Sequence, residues 1–407
     1  MLTPQLSTMK GLQGRRIGIA LAGGGPLGAF YELGALQALS ESVEGLDFND
    51  LHAYVGVSSG SMIAAALANG LTPVDMARLI ITNESVQFPA TPGLFLHPAW
   101  GEFAHRVARV PGLAASVLRY YARAPFSRNL AEVLDPLTTL LPNGLFDSAP
   151  LERFMRRVLS APGRSNDFRQ LPRKLYIVAT DLNTGESARF GEPGMDHVPI
   201  SRAVQASTAL PGLYPPVEIG GNTYADGALV RTMHASLALD AGADLVICIN
   251  PLVAYDASRG GRRRPDGELT NRGLAVVLGQ TFRSLIQSRM LVGLAGYHAR
   301  FPGSDVLLFE PDRDDEQMFF ANVFRYADRR RLVEHAYQRV RADLRLHADA
   351  LDAAFARHGL RLRRRVLADR RRSFHAAIDQ QRGAEARVAR DLGRTLRRLD
   401  RLVSGAA

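Results

Sequence analysis

A chain of 407 residues, 46% apolar and 22% charged, has ordinary globular composition and room for one large domain with an appendage, or for two domains. Its one cysteine, Cys248, excludes an intrachain disulfide and suits a reducing, cytoplasmic setting; within LVICIN it reads as a buried structural thiol. The formal charge of +10 is lopsided, because residues 351–407 carry 15 Arg against 6 acidic groups and leave the rest of the chain near neutral.

The first fifteen residues lack the apolar segment of a signal peptide, and the apolar stretch from Arg15 onward is broken by glycines and by Glu32. No run approaches the roughly 18 apolar residues of a membrane-spanning helix. The first strand is expected at 16–22, followed by a glycine triplet and a helix over 27–43. A second strand at 52–57 (HAYVGV) leads into an alanine-rich helix over 59–70. Residues 94–141, with Phe95, Trp100, Phe103, Tyr120, Tyr121 and Phe126 among Arg and Leu, read as a helical insertion. Further strands are expected at 174–180, 244–249 and 305–309, with a short one from Asn222 to Ala225. The polar, Gly/Pro-broken stretch 258–272 reads as a surface loop. Short apolar strands alternating with helices predict an α/β fold with a mostly parallel sheet covered on both faces.

Two loops carry chemistry. Gly23, Gly25 and Gly28 satisfy G-x-G-x-x-G, which serves either a dinucleotide pyrophosphate or a developing oxyanion, since both use backbone N–H groups at a helix start. Residues 56–60, GVSSG, form G-x-S-x-G between a strand and a helix. Such a turn exposes the Ser58 hydroxyl, with Gly56 and Gly60 removing side chains that would collide. A serine nucleophile needs a base. His234, His298, His335, His347, His358 and His375 follow in the chain, yet none sits in a Gly-flanked loop after a strand. Asp226 heads Asp-Gly-Ala after a short strand, where Gly227 allows a sharp turn.

A glycine triplet after the first strand, G-x-S-x-G some thirty residues on and a late Asp-Gly-Ala, together with ATDLNTGE (179–186) and ASTALPGLYPPV (206–217), resemble the patatin-like phospholipases over roughly residues 14–250. The resemblance implies a three-layer patatin-like fold and hydrolysis of lipid acyl esters, of phospholipid or lysophospholipid, by a Ser–Asp dyad without histidine. It makes Ser58 the nucleophile, Asp226 its base and the N–H groups of Gly23, Gly24 and Gly25 the oxyanion hole, with Gly28 and Gly227 supporting the turns. No metal or cofactor is implied. The family's glycine motif carries Arg or Lys before its last glycine; Leu27 stands there, which leaves the backbone donors intact but bears on head-group preference. A dinucleotide site wants an acid at the end of the second strand. That strand ends in Gly56-Val57-Ser58, which favours the oxyanion reading over a nucleotide-binding oxidoreductase. The remaining alternative is a catalytically silent lipid-binding or scaffolding protein.

EPDRDDEQ (310–317) resembles a calcium loop loosely but has Gln317 and Val323 where glycine and glutamate belong, and reads as a solvated acidic turn. The organisation expected is a catalytic domain over 14–250, a strand/helix region completing it over 251–350 and an Arg-rich helical C-terminal extension over 351–407. In that extension Val388, Leu392, Leu396, Leu399 and Val403 form one apolar stripe flanked by arginines. The stripe suits peripheral contact with an anionic membrane, or packing on the enzyme body or in a homodimer. Nucleic-acid binding is not expected, because no aromatics interleave the tail.

Overall fold

The computed structural model describes residues 1–7, 16–84, 89–123, 142–259, 271, 273–321 and 326–380. Its strands are β1 (Leu2–Gln5), β2 (Ile17–Leu21), β3 (Val43–Glu44), β4 (Ala53–Val57), β5 (Lys174–Asp181), β6 (Ser187–Phe190), β7 (Val217–Ile219), β8 (Asn222–Asp226), β9 (Leu245–Ile249), β10 (Asp305–Phe309) and β11 (Arg361–Leu362). The helices are α1 (Gly25–Ser42), α2 (Ser59–Ala68), α3 (Pro73–Ile80), α4 (Trp100–Arg123), α5 (Ala149–Leu159), α6 (Ile200–Ser207), α7 (Ala235–Asp240), α8 (Leu274–Arg300), α9 (Glu316–Phe319), α10 (Arg329–Leu346), α11 (Ala348–Arg357) and α12 (Arg364–Ala368).

One nine-stranded sheet runs β1-β10-β9-β2-β4-β5-β8-β7, with β6 also paired to β5. Strands β10, β9, β2, β4 and β5 are parallel, and the flanking strands are antiparallel. Every residue of β2, β4, β9 and β10 is buried, as expected of strands covered on both faces. Alternate side chains serve opposite sides. Ile19, Leu21, Tyr54, Ile247 and Phe309 join a core roofed by α1, α2 and α10, while Ala20, Val55, Val57, Val246 and Cys248 join a second core under α7 and α8. The result is the expected three-layer α/β arrangement. Burial pushes the Cys248 thiol well up, so it stays protonated and inert. No helix of the described residues is long and apolar enough to cross a membrane.

Several features differ from the sequence reading. Strand β1 was not expected; it pairs with β10 at the sheet edge, where Pro4 is tolerated because an edge strand can spare a donor. The helical insertion is entered through Leu94 and Phe95, which are buried in the first core, and α4 follows; residues 124–141 lie outside the described residues. Within the acidic turn Glu310 is buried, and Asp315 caps α9 (3.1 Å from Met318 N) and meets His335 at 2.7 Å, so this turn is less solvated than its composition implies.

The C-terminal extension expected from residue 351 is, over 351–380, built into the body. Strand β11 pairs with β3, and Phe355 and Phe374 are fully buried. Buried Arg341 donates to the carbonyls of Val366 (2.8 Å) and Asp369 (2.7 Å). The sparse apolar residues of this segment pack inward, and Arg361, Arg363, Arg364, Arg365, Arg370 and Arg371 are exposed. The stripe from Val388 to Val403 and most of the polar loop (260–270 and 272) lie outside the described residues.

Candidate active site

The registers of β5 explain how residues 168 positions apart meet. Val57, the last residue of β4, pairs with Val178, and the next residue of β5, Ala179, pairs with Asp226 at the end of β8. Since β6 occupies the opposite edge at both positions, β4 and β8 share one edge of β5 and approach each other end to end. Both chains turn away at the meeting point. Ser58 and Asp226 lie there, with Ser58 Oγ donating to Asp226 Oδ2 at 2.6 Å.

The turn after β4 is strained. Ser58 has φ 52° and ψ −125°, a conformation that costs a non-glycine residue about 1–3 kcal/mol. It is held in place by Ser207 Oγ, which accepts the Ser58 N–H at 2.8 Å, and by the Ser58 carbonyl, which accepts from Ser61 N (2.9 Å) and Ser61 Oγ. A Cβ on Gly60 would lie 2.6 Å from the Leu21 carbonyl, and one on Gly56 would lie 2.5 Å from Ser61 Cα. The α2 start is thus pressed onto the end of β2, beside the glycine loop.

That loop lies against the serine. A Cβ on Gly23 would sit 2.9 Å from Ser58 Cβ and 3.6 Å from Ser58 Oγ. Gly24 and Gly28 pack against Pro251, and Gly25 takes a positive φ of 60° as α1 begins. Pro26 has no N–H, and among the described residues no protein acceptor takes the N–H of Gly23, Gly24 or Gly25. Leu27 is buried in the first core and is not on the cavity wall.

Asp226 is 2% exposed. Burial raises its pKa to about 6, against the opposing hydrogen bonds from Ser58 Oγ and from the Ala228 N–H (2.8 Å). The Asp226 carbonyl accepts from Thr180 Oγ1 at 2.8 Å, and Gly227 packs so closely on β5 that a Cβ would lie 2.3 Å from Val178 O. No described histidine lines the cavity beside Ser58. His234 is buried elsewhere with Nε2 unpartnered, and burial with nearby Arg231 and Arg189 lowers its pKa to about 3. His335 meets Asp315 and His358 meets Asp305, each at 2.7 Å.

Ser58, Asp226 and the triplet open into one cavity of about 350 Å³. Its walls are apolar, with Phe95, Phe146, Leu213, Tyr214, Phe282 and Ile286 prominent. Ser58 and the glycine loop lie at the carboxyl ends of the parallel strands β4 and β2, where α/β sheets place ligands, and Asp226 is brought to them by the antiparallel β8. The sequence reading did not assign roles to Ser207 and Thr180, although both fall inside the ASTALPG and ATDLNTG stretches it had marked; what they hold is visible only once β5 and α6 are in place.

The patatin-like phospholipase profile matches residues 19–239, more than half of the chain, and the chain belongs to that family. An uncharacterized NTE family protein of Mycobacterium tuberculosis is 25% identical over 250 residues, covering 61% of this chain and 53% of the relative. A protein of Acanthamoeba polyphaga mimivirus is 24% identical over 211 residues, covering 51% and 57%. The chain thus spans little more than half the length of these curated relatives. Among solved structures, VipD from Legionella pneumophila aligns over 61% of this chain and 51% of its own with 20% identity and a TM-score of 0.33.

Proposed function

We propose that this chain is a serine acyl hydrolase acting on acyl esters of lipids, of the phospholipid or lysophospholipid kind. The observation that carries the reading is the 2.6 Å contact from a strained serine to a buried carboxylate at the end of an apolar cavity. Ser58 Oγ attacks the ester carbonyl carbon while its proton passes to Asp226 Oδ2. The tetrahedral oxyanion lies against the N–H groups of Gly23, Gly24 and Gly25, a contribution of about 3–4 kcal/mol per donor in comparable sites. Collapse breaks the acyl C–O bond, and the departing alcohol takes the proton from Asp226. Water then attacks the Ser58 ester, with Asp226 again accepting the proton. The second collapse breaks the acyl–Oγ bond, releasing the carboxylic acid as Ser58 Oγ takes the proton back from Asp226. A carboxylate poised at about 6 is ionised at neutral pH yet basic enough for this task.

The test is a lipid-panel hydrolysis assay together with labelling by a serine-reactive fluorophosphonate. Ser58→Ala should abolish both in a folded protein, whereas Ser59→Ala, whose hydroxyl meets no partner, should retain activity. Labelling that survives in Ser58→Ala overturns the assignment, and a parent protein that neither hydrolyses nor labels is a silent binder.

A further inference from the structure

Helix α8 contains no acidic residue across Leu274–Arg300. Its inner face is buried through Met290, Leu294 and Tyr297 in the second core. Its outer face presents Leu274, Val277, Leu278, Phe282, Leu285, Leu291 and Val292, with Leu285 57% and Val292 73% exposed. Leu278, Leu285 and Val292 recur every seventh residue and form a line along the helix. A helix turned to water carries polar residues there. Here the exposed polar residues beside that line are the small Thr281, Ser284 and Ser288. The arginines are tied elsewhere: Arg283 lies over the Phe319 ring, Arg289 donates to the carbonyls of Leu229 (3.1 Å) and Val230 (3.3 Å), and Arg300 pairs with Asp240 at 2.8 Å.

This bare face is continuous with the active-site cavity, because Phe282 is half exposed and also lines the cavity alongside Gly279 and Ile286. A second apolar lip stands beside the lining residues Phe95, Leu96 and Phe146. Trp100 is 70% and Leu145 47% exposed, tied together where Ala99 N–H donates to Leu145 O at 3.1 Å and Pro98 bridges Phe146.

We propose that the two lips dock on a lipid bilayer, seating the cavity mouth on the membrane so that an acyl chain passes to Ser58 without crossing water. The proposal rests on the hydrolase reading for the identity of what enters. Three observations favour a bilayer over other occupants. Apolar surface adjoins the lining of the Ser58 cavity on two elements, α8 and the segment holding Trp100 and Leu145. The second of these carries the exposed Trp100, a residue type suited to the headgroup boundary. The α8 face offers no carboxylate to the Arg-rich segment beyond residue 380.

The experiment measures co-sedimentation of the full chain with phosphatidylcholine vesicles in 1 M NaCl, where the Debye length of about 3 Å suppresses charge-driven binding. The triple variant Leu278→Gln/Leu285→Gln/Val292→Gln should weaken vesicle binding by about tenfold or more. Its hydrolysis of soluble p-nitrophenyl butyrate should stay within about twofold of the parent while hydrolysis of the vesicle lipid falls, a split confined to the interface. Trp100→Gln repeats the test on the other lip, independently of α8 folding. The hydrolase reading fails separately, if the parent cleaves neither ester, and the binding comparison then still decides the docking claim. The proposal is overturned if the parent does not bind the vesicles, or if both variants bind as the parent does. It is equally overturned if binding depends instead on Arg394, Arg397, Arg398 and Arg401, replaced by Gln in the full chain. A parent dimer that the triple variant converts to monomer, with vesicle binding unchanged, overturns it too.

Discussion

Helices α1 and α8 both line the cavity beside Ser58 and both are rich in apolar residues, yet they end in different surroundings. Helix α1 is buried from Leu27 to Leu39, with α10 laid across it so closely that a Cβ on Gly34 would lie 2.5 Å from Val333 O. Helix α8 is covered on one side only, and its Gly293 has open space around its Cβ position. An apolar sequence therefore states that a helix needs cover, but the cover itself is decided by which later elements return over it.

Matched substitutions sharpen that contrast most. Gly34→Ala should destabilise the protein by about 1–3 kcal/mol, because the new methyl must push α10 away. Gly293→Ala should instead stabilise it by up to about 1 kcal/mol through helix propensity alone. Urea unfolding of both variants reads the opposite signs, and two changes of the same sign would break the comparison.

A smaller effect, and one that depends on pH, comes from Glu32 on α1. Its carboxyl is fully buried with both oxygens unpartnered, and burial raises its pKa well above the ordinary value. The folded protein therefore holds this proton after the unfolded chain, titrating near about 4.3, has released it. Stability from this site is complete below that pH and is lost as pH rises toward the folded value, by at most about 1.4 kcal/mol per pH unit. Glu32→Gln should remove the slope, so that parent and variant unfolding free energies diverge above about pH 4.5 with the variant gaining. Parallel curves would mean that the carboxyl is ionised and paired in solution.

The parts legible in the sequence are those whose chemistry is local. Strands expected at 16–22, 52–57, 174–180, 244–249 and 305–309 are found within a residue or two, because each is a continuous apolar run closed by a turn signal. The Ser58 turn and the Gly23–Gly25 loop were legible for the same reason: Gly23, Gly24, Gly56 and Gly60 are required by close contacts, and Gly25 by its positive φ. Three things were not legible. That β8 continues the line of β4 along β5 follows from pairing between distant segments. The structural role of residues 351–380 was masked by their arginines, which are interspersed among the inward-facing Leu351, Phe355, Leu360, Leu362, Leu367, Phe374 and Ile378. The outer face of α8 carried no distinct signal, because apolar residues recur on both its buried and its exposed sides and no single stripe marks the inner face.

In the proposed dyad Asp226, and no histidine, takes the Ser58 proton. The most direct measurement is the rate of Ser58 labelling by a fluorophosphonate across pH, in the parent, Asp226→Asn and His234→Gln. Labelling requires the carboxylate, so the parent rate should rise with pH through a midpoint of about 6. Asp226→Asn should slow labelling by about 10²–10⁴-fold and erase that midpoint, while His234→Gln follows the parent curve. A parent-like rate in Asp226→Asn, or a loss in a folded His234→Gln as large as that expected of Asp226→Asn, would contradict the dyad.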